Sequence, residues 1–181
     1  MGLRRDALQV ATGIMQEVVR IANRYPPYGR GTVGMVQVFP NSRNVIPGEV
    51  KFSIDLRNVS DELLNTMHEE MLAFIAGMRK ESGLAIAIER VSYYPPCPFH
   101  PDCVNAVRAA TEKLGYSSMD VVSGAGHDAI YAARVAPSGM IFVPCKDGIS
   151  HNEIEDAQPA HLEAGCNVLL HAMLERAGVV S

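Results

Sequence analysis

Two histidine-bearing loops hold the residues best suited to chemistry, Ser123-Gly124-Ala125-Gly126-His127-Asp128 and, further on, Ser150-His151-Asn152-Glu153. Each follows a short apolar run that reads as a strand, Asp120 to Val122 and Met140 to Val143. If those strands belong to one parallel β-α-β unit, both loops emerge on the same edge of the sheet, where ligands bind in open α/β folds. Imidazole and carboxylate groups would then converge on one rim. The glycines Gly124 and Gly126 permit a tight turn and can offer backbone N–H groups to an anion at the start of the following helix. Plainer readings stand beside these. His127 suits a helix start satisfied by the backbone, Asp128 favours the helix dipole, and His151 fits a solvated loop side chain. His68, His100, His161 and His171 fall on expected helices or a linker and read as surface or packing residues.

The elements that position these loops follow from periodicity. Leu8, Ala11, Met15, Val18, Val19 and Ala22 recur at helical spacing until Tyr25-Pro26-Pro27 ends the run. Two strand-like stretches follow, Thr32 to Phe39 and Glu49 to Arg57, joined by an Asn-, Pro- and Gly-rich connection and expected to pair antiparallel. In the second stretch Phe52, Ile54 and Leu56 alternate with Lys51, Ser53, Asp55 and Arg57, so one face is apolar and the other charged. Ser60 caps a helix running to about Glu81, with Leu64, Met67, Met71, Ile75 and Met78 as its buried stripe and Gly83 at its end. Leu84 to Val91 reads as a third strand, and the proline-rich Tyr93 to Pro98 marks a boundary between domains 1–95 and 96–181.

Helix, strand, strand, helix, strand is a split β-α-β order with its first strand absent. Beyond the boundary come a helix from Asp102 to Leu114, the two strands flanking a helix from about Asp128 to Arg134, and a closing amphipathic helix from about Pro159 to Arg176. The fold class is α/β.

Sixteen Lys and Arg stand against twenty Asp and Glu in 181 residues, a formal charge of −4, which argues against a basic nucleic-acid-binding face. Hydrophobic residues make up 48% and charged ones 20%, so the chain can bury a core. No apolar run approaches the roughly 20 residues of a membrane-spanning helix, and the N-terminal segment is amphipathic rather than signal-like, so a cytoplasmic location is expected. Cys97, Cys103, Cys145 and Cys166 lack the CxxC spacing of a zinc ribbon or redox pair and read as ordinary thiols. A catalytic zinc site normally has three protein ligands, and no HExxH, Walker or GxSxG motif occurs here.

Three segments taken together go further: Pro40-Asn41-Ser42-Arg43-Asn44-Val45-Ile46-Pro47-Gly48 leading into Phe52-Ser53-Ile54-Asp55-Leu56-Arg57, then Ser123 to Ala129, then Gly148 to Glu153. In this order they resemble the hydantoinase/carbamoylase family of metal-dependent amidases, which includes N-carbamoyl-L-amino-acid hydrolases, allantoate amidohydrolases and β-ureidopropionases. The resemblance implies a lid or dimerisation domain, ferredoxin-like and lacking its first strand, followed by the C-terminal part of a zinc-peptidase-like catalytic domain. It implies two divalent metal ions (Zn, Mn, Co or Ni), a small ureido or amide substrate bearing a carboxylate, and a homodimer formed through the lid.

Residue by residue, His151 matches the last metal ligand, Arg57 the residue that binds the substrate carboxylate, and Asn44 a donor to the substrate's polar groups. Gly124, Gly126 and His127 fall in the substrate-binding loop. Asn44 and Arg57 act in their own subunit's site or in the partner's. The general base and remaining ligands are expected before Met1, so no catalytic residue lies within this chain and the chain alone is expected to be inactive. The alternatives are an allantoate amidohydrolase, a dipeptidase or aminoacylase of the same fold, and, from another class, a non-catalytic dimerisation module.

Overall fold

Asp6 starts the first helix by accepting the backbone N–H groups of Leu8 and Gln9 at 3.1 and 3.2 Å. The computed structural model describes residues 1–178, and the chain divides into two compact units, Met1–Pro96 and Cys97–Ser181. In the first unit this helix, α1 (Ala7–Arg24), packs on α2 (Asp61–Ser82), which Ser60 caps and Gly83, with φ +64°, terminates in the left-handed conformation. Ile14, Val18, Ile21 and Ala22 of α1 meet Met67, Met71 and Ile75 of α2 in one buried cluster. The methionine stripe is therefore core, its flexible thioethers filling the space between the helices.

Phe52, Ile54 and Leu56 close that cluster from the sheet side, as their alternation requires. The sheet is an antiparallel hairpin in two sections. β2 (Val36–Phe39) pairs with β3 (Glu49–Phe52), setting Val36 against Phe52 and Phe39 against Glu49. β1 (Arg30–Thr32) pairs with β4 (Asp55–Arg57), setting Arg30 against Arg57 and Thr32 against Asp55. Between the sections Val33, Gly34 and Met35 oppose only Ser53 and Ile54, a bulge of one residue. Ser53 bridges it: its N–H donates to the Met35 carbonyl at 3.1 Å and its Oγ accepts the Met35 N–H at 3.2 Å. Gly31 lets β1 approach α1, since a Cβ there would lie 2.6 Å from the Val18 carbonyl oxygen.

The expected strand at Leu84–Val91 is not one in the structure. Leu84 and Ile86 are half-buried and Ala85 and Ala87 exposed, so the alternation is present, but the segment has no ladder partner among the described residues. Side-chain alternation marks an extended segment; a strand also needs a neighbour's backbone.

The second unit contains α3 (Pro101–Lys113), the single turn α4 (Ala129–Ala132), a 3-10 turn at Lys146–Gly148 and α5 (Pro159–Ala177). Ala106 and Ala110 of α3 bury against Val168 and Ala172 of α5, with Ile141 alongside. Small residues at the crossing let the two helices approach closely. Two expectations are corrected here. The segments at Asp120–Val122 and Met140–Val143 form no ladder among the described residues, and the expected helix from Asp128 to Arg134 contracts to α4. Val121, Val122 and Phe142 stand about half exposed, so the apolar character that suggested strands is real but has no covering layer in this unit.

Candidate functional site

The residues singled out from sequence divide between the units. Asn44 and Arg57 lie in the first, and Gly124, Gly126, His127 and His151 in the second.

Arg57 ends β4 on its charged face. Its Nε donates to Asp55 Oδ1 at 2.9 Å and one Nη to Oδ2 at 2.7 Å, a two-pronged fork made within the strand because residues two apart share a face. The hydrogen bonds to Arg57 hold the Asp55 carboxyl below its usual range, and Asp55 in turn raises the guanidinium. Both side chains are about half exposed, so the pair is an addressable charged surface rather than a buried ion pair. Asn44 sits in the β2–β3 loop, where its Oδ1 accepts the Ser42 hydroxyl at 3.1 Å. Gly48 N–H donates to the Phe39 carbonyl, and Ala7 N–H at the start of α1 donates to the Pro47 carbonyl, both at 3.1 Å, which anchors the loop's C-terminal end.

In the second unit His127 accepts the Ala129 N–H on Nδ1 at 3.0 Å and so behaves as a helix-start residue. That bond leaves the ring proton of the neutral imidazole on Nε2. Ser123 folds the preceding turn by donating from Oγ to the Ala125 carbonyl at 3.0 Å. Neither Gly124 nor Gly126 has a positive φ, so the turn does not require glycine for its backbone conformation, and both face open space where a Cβ would stand.

His151 has φ +58°, a left-handed conformation that costs a non-glycine residue about 1 to 2 kcal/mol. The loop supports it. His151 N–H donates to Glu155 Oε2 at 2.7 Å, Glu155 N–H to the Asn152 carbonyl at 3.0 Å, Ile154 N–H to Asn152 Oδ1 at 3.2 Å, and Lys146 N–H closes the base on the Asp156 carbonyl at 2.7 Å. Asp147, at φ +54°, shares the strain. Among the described residues no group of three or more His, Cys, Asp or Glu side chains is placed to hold a metal. His151 is by itself one imidazole ligand of the kind such a site uses, and the described residues group no second and third beside it.

Sequence reasoning missed three contributors: Asp55, which engages Arg57; Ser53, which bridges the bulge; and Glu155, which clasps His151. The first was within reach, because alternation already put Asp55 and Arg57 on one face. The other two act on backbone groups, for which side-chain patterning has no signal.

A family model described as Peptidase family M20/M25/M40 matches residues 9–175. The chain belongs to this family. Within it, an N-carbamoyl-L-amino-acid amidohydrolase of Rhizobium meliloti is 43% identical over 180 residues, 99% of this chain and 43% of the relative. An allantoate amidohydrolase of Bacillus subtilis (strain 168) is 34% identical over 169 residues, 93% of this chain and 41% of the relative. A crystal structure of a hydantoinase/carbamoylase family amidase from Burkholderia multivorans matches with a TM-score of 0.93 at 53% identity, over 100% of this chain and 44% of that one. These are the proteins the three motifs resembled. The chain spans a little over two-fifths of the length of these M20/M25/M40 relatives.

Proposed function

We propose that this chain is part of a metal-dependent amidohydrolase that cleaves linear non-peptide C–N bonds, with an N-carbamoyl-L-amino acid as substrate, releasing the amino acid, CO2 and ammonia. The observation that carries the reading is Arg57, a planar cation at the end of the strand opposite the bulge, held by a side-on fork and half exposed. That is a group suited to a small molecule's carboxylate, which guanidinium binds through two parallel hydrogen bonds. The names of the relatives support the reaction class.

In this reading the first unit is the lid and dimerisation domain. It contributes carboxylate recognition through Arg57 and a polar contact through Asn44, in its own subunit's site or in that of the partner in a homodimer. The second unit belongs to the catalytic domain. There Gly124 and Gly126 offer backbone N–H groups to the substrate's carbonyl oxygen. His127, with Nδ1 occupied by Ala129, presents Nε2–H to the substrate. His151 contributes one ligand to a pair of divalent ions (Zn, Mn, Co or Ni) whose remaining ligands are not among the residues described. When bound, such a pair activates water for attack on an amide or ureido carbonyl. On this reading the 181 residues alone are expected to turn over no substrate, since one histidine does not hold a catalytic metal pair.

Ranking of substrates tests the reading. Assays of the intact enzyme on N-carbamoyl-L-amino acids, allantoate and dipeptides are expected to give the highest kcat/KM for a carbamoyl amino acid. Allantoate is the second candidate, favoured by the likeness to the Bacillus subtilis relative. Preference for dipeptides would contradict the carbamoyl assignment.

A further inference from the structure

His151 holds its backbone at φ +58° although every residue from His151 to Asp156 is exposed. Core packing therefore does not impose this left-handed conformation, which a residue with a Cβ ordinarily avoids. Hydrogen bonds within the loop do, and Glu155 sits at their centre. Its N–H donates to the Asn152 carbonyl at 3.0 Å, and its Oε2 accepts the His151 N–H at 2.7 Å. The other oxygen, Oε1, accepts the Cys145 thiol at 4.0 Å, while Lys146 N–H donates to the Asp156 carbonyl at 2.7 Å. The Glu155 side chain thus spans the loop, tied both to the limb that enters it at Cys145 and to His151.

The bond to His151 has a directional consequence. Backbone torsions limit which side-chain rotamers are open, so holding φ restricts where the imidazole can point. Water could satisfy the His151 N–H as Glu155 does, but water would not hold φ on the left-handed side. A 2.7 Å bond from an N–H to a carboxylate belongs to the short, charge-assisted class. Metal binding gains from such fixing, because ligands must meet an ion at defined distances and angles, and groups that orient a ligand raise affinity without touching the ion.

We infer that Glu155 is a positioning residue for metal binding: by accepting the His151 N–H it holds the imidazole in the orientation in which it ligates an ion. The inference rests on the ligand role proposed above for His151 and adds a residue that has no ligand role of its own. Glu155 differs from the common carboxylate partner of a metal-binding histidine, which takes the ring's second N–H, in that it grips the main chain.

The test measures the zinc affinity of the intact protein by competition with a chromophoric chelator, for the unaltered protein and for Glu155→Gln, Glu155→Asp and His151→Ala. Glutamine keeps an acceptor oxygen at the same reach and loses the charge, whereas aspartate keeps the charge and is one methylene shorter. Glu155→Gln is expected to bind zinc within about threefold of the unaltered protein, and Glu155→Asp at least about tenfold more weakly. Melting curves of the metal-free proteins are recorded alongside, and affinities are compared at a temperature where all are folded. A merely structural role lowers the melting temperature and leaves zinc affinity alone, which would overturn the inference. The reverse order, with Glu155→Asp near the unaltered protein and Glu155→Gln weak, assigns the effect to charge and overturns it too, as do equal losses in both. If His151→Ala is weakened in any of these cases, the ligand role of His151 stands without Glu155. If His151→Ala binds zinc as tightly as the unaltered protein, that role falls and the inference with it.

Discussion

Alternation places Arg57 on the charged face of its strand, and the family resemblance carried by the Phe52–Arg57 motif implies that it binds the substrate carboxylate. What the sequence did not say is that its flank is already engaged by Asp55, because a fork depends on side-chain torsions and not on spacing alone. Arg57→Ala in the intact enzyme is expected to weaken acidic substrates by roughly 2 to 4 kcal/mol in binding terms if the charge pair is desolvated, and neutral amides far less; KM values for matched acid and amide substrates check this. His151 was legible as a loop histidine in a motif. Its left-handed backbone and the grip of Glu155 were not, since both are backbone matters. His151→Ala in the intact enzyme should reduce bound metal from two ions per subunit toward one, read by elemental analysis after gel filtration; two retained ions would remove His151 from the ligand set.

At the scale of elements, helices were the readable part. The 3.6-residue period predicted α1, α2, α3 and α5 nearly to their ends, because a helix satisfies its own backbone and its apolar stripe alone reports which face is buried. Truncating that stripe where α1 meets α2 is costly: Ile21→Ala should destabilise the first unit by about 2 to 5 kcal/mol, measured by denaturant unfolding. Strands were legible only where the partner was close in sequence. The hairpin formed, whereas Leu84–Val91, Asp120–Val122 and Met140–Val143 kept apolar side chains without gaining ladders among the described residues.

A charged tether accompanies the helix packing. Glu70 of α2 accepts the Tyr25 hydroxyl at 2.6 Å and the Arg24 guanidinium at 2.7 Å, and these partners, the tyrosine first, hold its carboxyl below the ordinary glutamate range. A carboxyl with a lowered folded-state pKa stabilises fully above its unfolded value and loses that contribution as pH falls through the folded one. Glu70→Gln should therefore lower the melting temperature at pH 7 by no more than about 2 °C, an exposed pair being weak, with the gap closing as the solution is acidified below the carboxylate range. Parallel melts at neutral and acid pH would show a gap that persists or widens in acid if Glu70 acts otherwise.

The whole molecule is two units, each with its own small core, in a chain that matches its M20/M25/M40 relatives over little more than two-fifths of their length. The family was legible at this scale only through three motifs in order, because among the described residues no loop groups enough metal-binding side chains to declare a chemistry. The half-exposed Val121, Val122 and Phe142 belong to the same unit, in apolar segments that form no ladder among the described residues. The most direct test is metal content together with hydrolysis of an N-carbamoyl-L-amino acid, measured on these 181 residues and on the protein at the length of its relatives. The account predicts about two divalent ions per subunit and turnover in the long form, and neither in the short one. Turnover by the 181 residues alone, or a long form that is metal-free and inactive, would contradict it.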